Sequence, residues 1–413
     1  MLKKISSDNL IILKNLSFLS ILRFFNIGVK FLLVAYLVRV LGKINYGILT
    51  WVDSIIQYFI IFINFGFNVY AAKYIVENRE SKKELNKITS AIFSIKIILF
   101  LLSFFILYSL TFIDTFSEYQ DYLYLMLIMG IGEVFFPIWY FQGVEKLKLA
   151  TYITVFSKLV LVIGTVIFVV KPNDLNIHIN LILLSYFLMG FLGYLSLVKK
   201  FNFIFVWTGK KMLFKIIKEA YMFFLGRFLS LTFNFMTIFL IGVFYSMDYV
   251  SGFDIALKIV LVCIIPFDML QQAVFPTITR NKDKLLLKKT IYFSVSFGVF
   301  LSIILFFFSK KLLLLFGGSE ILEYSNVLKI LAIIPPFVAL TFMLGTCTLV
   351  AFGYNKEYNK SLVISSLLYI LIVLFLNYFD CLTFWNLVYL RVFSDVTLTF
   401  IRIIYVKKLK ILW

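Results

Sequence analysis

Charge is scarce in this chain and negative charge scarcer still: 15% of its 413 residues are charged, with 21 Asp and Glu against 40 Lys and Arg. An ordinary soluble domain carries about 25% charge, so a water-exposed fold of this composition is excluded. Cysteine and histidine are nearly missing. Cys263, Cys347 and Cys381 lie in or beside apolar runs without metal-ligand spacing, and His178, the single histidine, is placed in a short loop. A disulfide framework and a zinc site are therefore not expected, and neither a metal nor a cofactor is. Long loops are missing too: no connection exceeds about twenty residues, which leaves no room for a folded domain outside the apolar runs. No loop holds paired carboxylates, a phosphate-cradling glycine motif or a nucleophile with its base. The expectation is a protein that is not an enzyme.

What remains is apolar: 62% of the residues are hydrophobic and 19% aromatic, with a mean hydropathy of +0.99. Runs of membrane length occur near 17–41, 48–71, 89–112, 120–141, 150–170 and 179–198, then near 219–243, 249–275, 289–309, 327–352, 361–379 and 383–405. This reads as an all-α polytopic membrane protein of about twelve transmembrane helices. The first run exceeds a signal-peptide core and lacks a cleavage site after it, so it is expected to be retained.

The net charge of +19 would suggest nucleic acid in a soluble protein. Here the basic residues sit in short loops, where they fix orientation, and no nucleic-acid partner is expected. With the N-terminus inside, inner segments hold roughly two dozen Lys and Arg against about five outside, which puts both termini in the cytoplasm. The basic stretch from Lys199 to Lys218 divides the chain into a six-helix lobe at 1–205 and another at 206–413. The halves echo each other faintly, Tyr46-Gly47 entering the second run as Ser251-Gly252 enters the eighth.

Ionisable side chains within the runs carry most information. Arg23, Lys30, Asp53, Lys96, Glu133, Lys158, Arg227, Asp254, Lys258, Asp268, Arg391 and Asp395 all fall there. Each costs about 3 kcal/mol at a helix centre facing lipid, so about a dozen would cost on the order of 30 kcal/mol, several times a normal folding stability. Most must face an aqueous lumen or pair within the bundle. Asp254 with Lys258, and Arg391 with Asp395, are four residues apart on one helix face, as either structural or functional pairs. Arg23 and Lys30 share a face with Asn26 between them; they either form a lumen-facing anion site or pair with acids of other spans such as Asp53 or Glu133. Lys158, near mid-span, joins the anion-site candidates, whereas Lys96 and Arg227 can snorkel to the interface. Pro137, Pro266, Pro335 and Pro336 interrupt spans and are expected to kink them.

Five stretches, in order along nearly the whole chain, resemble the lipid-linked oligosaccharide (O-antigen) flippases of the multidrug/oligosaccharidyl-lipid/polysaccharide exporter superfamily. They are Arg39 to Gly42 with Tyr46-Gly47 and Asn64 to Asn68; Pro137-Ile138-Trp139-Tyr140-Phe141-Gln142-Gly143-Val144-Glu145-Lys146; Gly252 through Ala256 and Lys258 to Phe275-Pro276; Leu315 to Gly318 leading to Leu328 and Pro335; and Gly353 to Tyr358. The final helices depart from the family pattern around Cys381 to Trp385.

The resemblance implies two six-helix lobes around a central cavity, in the bacterial cytoplasmic (inner) membrane. It implies transfer of an undecaprenyl-diphosphate-linked oligosaccharide from inner to outer leaflet by alternating access. On that reading Arg23, Lys30 and Lys258, then Lys158 and Arg391, would hold the diphosphate. Asp53, Glu133 and Asp268 would shape the cavity or bind a coupling H⁺ or Na⁺. Asn26, Gln57, Gln142 and Gln271 would contact sugar; glutamines such as these and Gln272 could equally cross-link helices. A single chain is expected to form the cavity, with possible contact to polysaccharide-assembly enzymes. The alternative is a drug or cation antiporter of the same superfamily, which predicts an acid-dominated cavity; a membrane polysaccharide polymerase or glycosyltransferase ranks below it, because such enzymes generally expose catalytic residues in a sizeable loop and no such loop is present.

Overall fold

The computed structural model describes the backbone of residues 7–231 and 235–412 and the side chains of 33–229 and 235–412. Arg23, Asn26 and Lys30, three of the expected site residues, lie outside the described side chains. Among the described residues all regular structure is helical, and eight helices are long and apolar enough to cross a membrane, or nine if the bent pair Ser319–Leu331 and Ile334–Val350 is one span.

The chain folds as two compact units, one of residues Met1–Leu41 and Val52–Phe228, the other of Gly42–Trp51 and Leu229–Trp413. The boundary drawn from sequence at 205/206 thus falls inside the first unit, ahead of the helix Lys210–Leu231.

The first unit begins in α1 (Ser7–Asn64), which breaks at Gly42, where φ is 76° and ψ 167°. Only glycine adopts that backbone without strain, so the sequence fixes the break at this residue. A second break at Phe65 and Gly66, both at positive φ, leads to α2 (Phe67–Glu77). Then come α3 (Lys82–Leu110), α4 (Gln120–Phe135), α5 (Ile138–Gly143), α6 (Leu147–Phe168), α7 (Leu175–Phe201) and α8 (Lys210–Leu231). Ser81 caps α3 by accepting from the Glu84 N–H at 3.4 Å, which supplies one of the donors a helix start leaves unmet. Pro137 separates α4 from α5.

Small residues set the packing of this unit. A Cβ on Gly132 would lie 2.2 Å from the Tyr186 carbonyl oxygen, and one on Gly190 would lie 2.8 Å from Gly132 Cα, so α4 and α7 touch backbone to backbone. The conspicuous Pro137 to Lys146 segment is a packing element: Trp139, Tyr140 and Phe141 are buried, and Gly143 fits against Ile75 and the Ala72 carbonyl of α2. His178, placed in a loop from sequence, is in the first turn of α7, buried, with Nδ1 3.1 Å from the Thr165 hydroxyl. The helix starts earlier because the turn Pro172–Asp174, with Asp174 accepting the Lys171 N–H at 2.8 Å, feeds directly into it.

The second unit contains α9 (Thr237–Phe244), α10 (Met247–Asn281), α11 (Lys284–Phe307), α12 (Ser309–Gly317), α13 (Ser325–Leu331), α14 (Ile334–Phe342), a π-helical stretch Met343–Val350, α15 (Asn355–Tyr378) and α16 (Phe384–Lys408). Asp283 and Thr383 cap α11 and α16 with their side chains. Pro335 and Pro336 start α14 after a break, whereas Pro266 lies inside α10, which stays one helix of 35 residues. Close packing and a hydrogen bond help hold segment 42–51 here. Gly47 abuts the Met247 carbonyl, Gly242 makes room for the fully buried Trp51 ring, and Trp51 Nε1 donates to the Phe239 carbonyl at 3.1 Å. The echoing Gly252 packs on the Tyr324 ring. Both glycines are thus close-approach positions.

Candidate functional site

In the first unit the sequence-selected acids are tied to amides. Gln57 lies one turn after Asp53 and donates to its carboxylate at 2.8 Å, and Asn64, the last residue of α1, donates to the Glu133 carboxylate at 3.1 Å. Lys158, on α6, is buried with its ammonium 4.7 Å from the centre of the Tyr186 ring of α7, a cation over an aromatic face. Gln142 is exposed at the end of α5, while its neighbours in the motif are buried.

Lys96 does not snorkel. It is 1% exposed, and its ammonium donates to the backbone carbonyl of Glu133. The cause is the residue four positions on: Pro137 has no N–H to return to the Glu133 carbonyl, so a side-chain donor takes the place of the missing backbone one. Arg227 by contrast is exposed.

In the second unit the Tyr46 hydroxyl donates to Asp254 at 2.5 Å and accepts from Lys258 at 2.8 Å, while Lys258 pairs with Asp254 at 2.6 Å. The couple is an ion pair closed by a tyrosine. Lys43, three residues before Tyr46, pairs with Glu323 at 2.8 Å.

A separate cleft of about 290 Å³ gathers Asp268 and Gln271 of α10, Thr341 of α14, Tyr358 of α15, and Arg391, Asp395 and Arg402 of α16. Arg391 pairs with Asp395 at 2.6 Å with little exposure of either side chain, and Asp268 accepts from Gln272 at 2.8 Å. Arg402 was not selected from sequence. It is 3% exposed; it donates to the Ser361 hydroxyl at 3.2 Å and the Thr341 carbonyl at 2.7 Å, and lies 4.6 Å from the centre of the Tyr358 ring. Its proximity to the basic C-terminal loop hides it. The signal was its spacing, seven after Asp395 and eleven after Arg391, which returns to the same helix face. Gly345 leaves the room: a Cβ there would sit 2.3 Å from Arg402 Nη1.

The cleft therefore offers two guanidinium groups, two carboxylates and an amide within an apolar helix bundle. Such a surface can hydrogen-bond hydroxyls and accept an anionic group without desolvating a bare charge. No group of three His, Cys, Asp or Glu able to hold a metal occurs among the described residues, and Cys263, Cys347 and Cys381 are free thiols.

Residues 12–282 match the family described as polysaccharide biosynthesis protein. The chain belongs to that family. A putative O-antigen transporter of Escherichia coli (strain K12) is 24% identical over 389 residues, 89% of this chain and 90% of the relative. One of Shigella dysenteriae is 24% identical over 392 residues, 93% of this chain and 97% of the relative. Among solved structures, the inward-facing conformation of a multidrug resistance MATE family transporter of the MOP superfamily superposes with TM-score 0.77 at 13% identity, covering 96% of this chain and 98% of that one. The lipid II flippase MurJ, inward closed, gives 0.73 at 16% identity, covering 95% and 89%. At these identities the superpositions show the fold. This member of the polysaccharide biosynthesis protein family is a multi-pass helical protein of the bacterial inner membrane, and its relatives are named as transporters rather than enzymes.

Proposed function

We propose that the protein is a flippase that carries an undecaprenyl-diphosphate-linked oligosaccharide, such as an O-antigen repeat unit, from the inner to the outer leaflet by alternating access. The observation that carries this reading is the near full-length match to O-antigen transporters, over 389 residues and 90% of the relative in one case. The buried cations support it, since a diphosphate crossing an apolar core needs fixed positive groups and donors to replace its water.

On this proposal the chain makes about twelve crossings with both termini cytoplasmic, as loop charge suggests. Arg391 and Arg402 of the second-unit cleft join Arg23, Lys30, Lys158 and Lys258 as the cations that contact the diphosphate, those in ion pairs exchanging or sharing their carboxylate partner. Asp53, Glu133 and Asp268 shape the polar path or take a coupling H⁺ or Na⁺, and Asn26, Gln57 and Gln271 meet sugar hydroxyls. The drug or cation antiporter is the competing outcome of the same experiment.

That experiment is reconstitution of the full chain in liposomes with a fluorescent undecaprenyl-diphosphate oligosaccharide, reading the label protected from a membrane-impermeant quencher. The expected result is protection with wild type and its loss in Arg23→Ala and Lys30→Ala variants that keep the wild-type melting temperature. No protection under any imposed ion gradient or potential, together with uptake of a lipophilic cation, overturns the proposal in favour of the antiporter. Protection retained by both variants keeps flipping and removes those two cations from it.

A further inference from the structure

We propose that residues 201–222 form a membrane-surface anchor that binds anionic phospholipid headgroups. The segment begins where the span Pro172–Phe201 ends, so it lies at the level where a membrane presents its headgroups. Asn202, at φ 49°, ends α7 and turns the chain. An irregular stretch follows, and then α8.

Two opposite faces define what the segment does. One is fixed to the first unit: Phe203 is buried, the Val206 N–H donates to the Ser90 hydroxyl at 2.9 Å, and Ile216 and Ala220 enter the same core as Trp139 and Phe141. The other is bare and of mixed character. Trp207 is 85% exposed, Phe214 72% and Ile204 64%. Lys210, Lys211, Lys215 and Lys218 are exposed as well. On α8, Lys211, Phe214, Lys218 and Met222 follow one another at three- and four-residue spacing, so cations and apolar side chains share a single helix face.

That mixture is the signature of an interfacial element and not of a lipid-tail surface, because aromatic rings settle at headgroup depth while lysines reach phosphate. The face is net positive. Glu219, the acid of α8, is exposed; one of its carboxylate oxygens accepts the Tyr70 hydroxyl at 2.8 Å and the other lies 4.0 Å from the Lys215 ammonium, so four lysines stand against one acid. A face of four lysines with a protruding tryptophan is complementary to anionic headgroups. The membrane already lies beside it, so binding carries no cost of bringing the partner from solution.

The test uses the full-length protein in detergent, titrated with phosphatidylglycerol or phosphatidylcholine, with retained lipid counted by native mass spectrometry. Wild type is expected to retain phosphatidylglycerol in preference to phosphatidylcholine. The variant K210Q/K211Q/K215Q/K218Q should retain phosphatidylglycerol at least about tenfold less, with phosphatidylcholine unchanged, since each lysine near a charged surface contributes severalfold in affinity. Trp207→Ser, which alters no charge, should reduce retention severalfold. All substituted positions are exposed, and an unaltered melting temperature in lipid-free detergent confirms the fold. Equal retention of the two lipids by wild type, or phosphatidylglycerol retention unchanged in the lysine variant, overturns the proposal; unchanged retention in Trp207→Ser removes the aromatic part of it. Displacement of the lipid by an acidic peptide at equal charge concentration would instead mark the face as a protein-docking surface.

Discussion

The Lys96 ammonium donates to the backbone carbonyl of Glu133, and it does so because Pro137 stands where the helix would have supplied an N–H. One intramembrane cation is thus explained by a proline just past the end of another helix. The two belong to a single hydrogen-bonding arrangement at the end of α4, to which Asn64 adds a bond to the Glu133 carboxylate.

If so, Lys96→Met should cost about 1–3 kcal/mol, the penalty for a buried carbonyl losing its donor. Pro137→Ala introduces a backbone N–H at the correct position. In the double variant the cost of Lys96→Met should shrink by at least half, read as a double-mutant cycle on thermal unfolding in detergent. Additive effects of the two substitutions would count against this account.

Arg391 and Asp395 are 2.6 Å apart and both deeply placed. Removing either partner strands the other, so Arg391→Ala or Asp395→Ala should lower stability by about 3 kcal/mol, while the double variant recovers much of that loss. Transport separates the roles. A stable double variant that still flips the lipid-linked sugar would make the pair structural, and one that folds but does not transport makes it part of the path.

Gly345→Ala should destabilise by about 1–3 kcal/mol, the range for overpacking a full interior. The Arg402 group that the new methyl meets is held at two bonds, to Ser361 and Thr341, and cannot swing aside freely. Arg402→Met in the same background should relieve the clash, so melting temperatures of the two single variants and the double should show recovery in the double.

Tyr46→Phe takes a hydroxyl from both Asp254 and Lys258. A loss of about 1.5–3 kcal/mol is expected, as for a buried bond to charged groups. Lys258→Met should cost more, because Asp254 is 3% exposed and would be left without its cation. A smaller cost for Lys258→Met than for Tyr46→Phe would show that the carboxyl is held mainly by the tyrosine.

Gly132→Leu should abolish folding outright, since its side chain would occupy the Tyr186 backbone. Size-exclusion of a fluorescent fusion from membranes should show aggregate and no monodisperse peak, while Ile131→Leu, an exposed neighbour, should leave the peak as in wild type.

The membrane class was legible because it depends on summed hydropathy, which needs no knowledge of contacts. Breaks were legible where a local cause sits in the chain, as at Pro137 and at Gly42, next to which the first apolar run ends; the start of α3 after Ser81 was not, because its first turns are polar and the apolar run begins only at about 89. The couples Asp254 with Lys258 and Arg391 with Asp395 were legible for the same reason, since four residues along a helix is a fixed distance. Arg402 shared that regularity and was passed over for its place near the C-terminal lysines.

Other relationships had no local trace. Lys96 read as a snorkelling cation because nothing in α3 says that a carbonyl 37 residues later lacks a donor. Tyr46 read as part of an entry motif, although its hydroxyl meets Asp254 across 208 residues, and Gln142 gave no sign that it faces outward from a buried motif. The sequence by itself determined that this is an all-helical membrane protein with charges inside its spans, because burial cost and helical periodicity act on short lengths of chain. Which buried charge meets which donor, and on which face of a helix each polar group emerges, was decided only by the tertiary structure, because those pairings depend on distances between helices that are far apart in the chain.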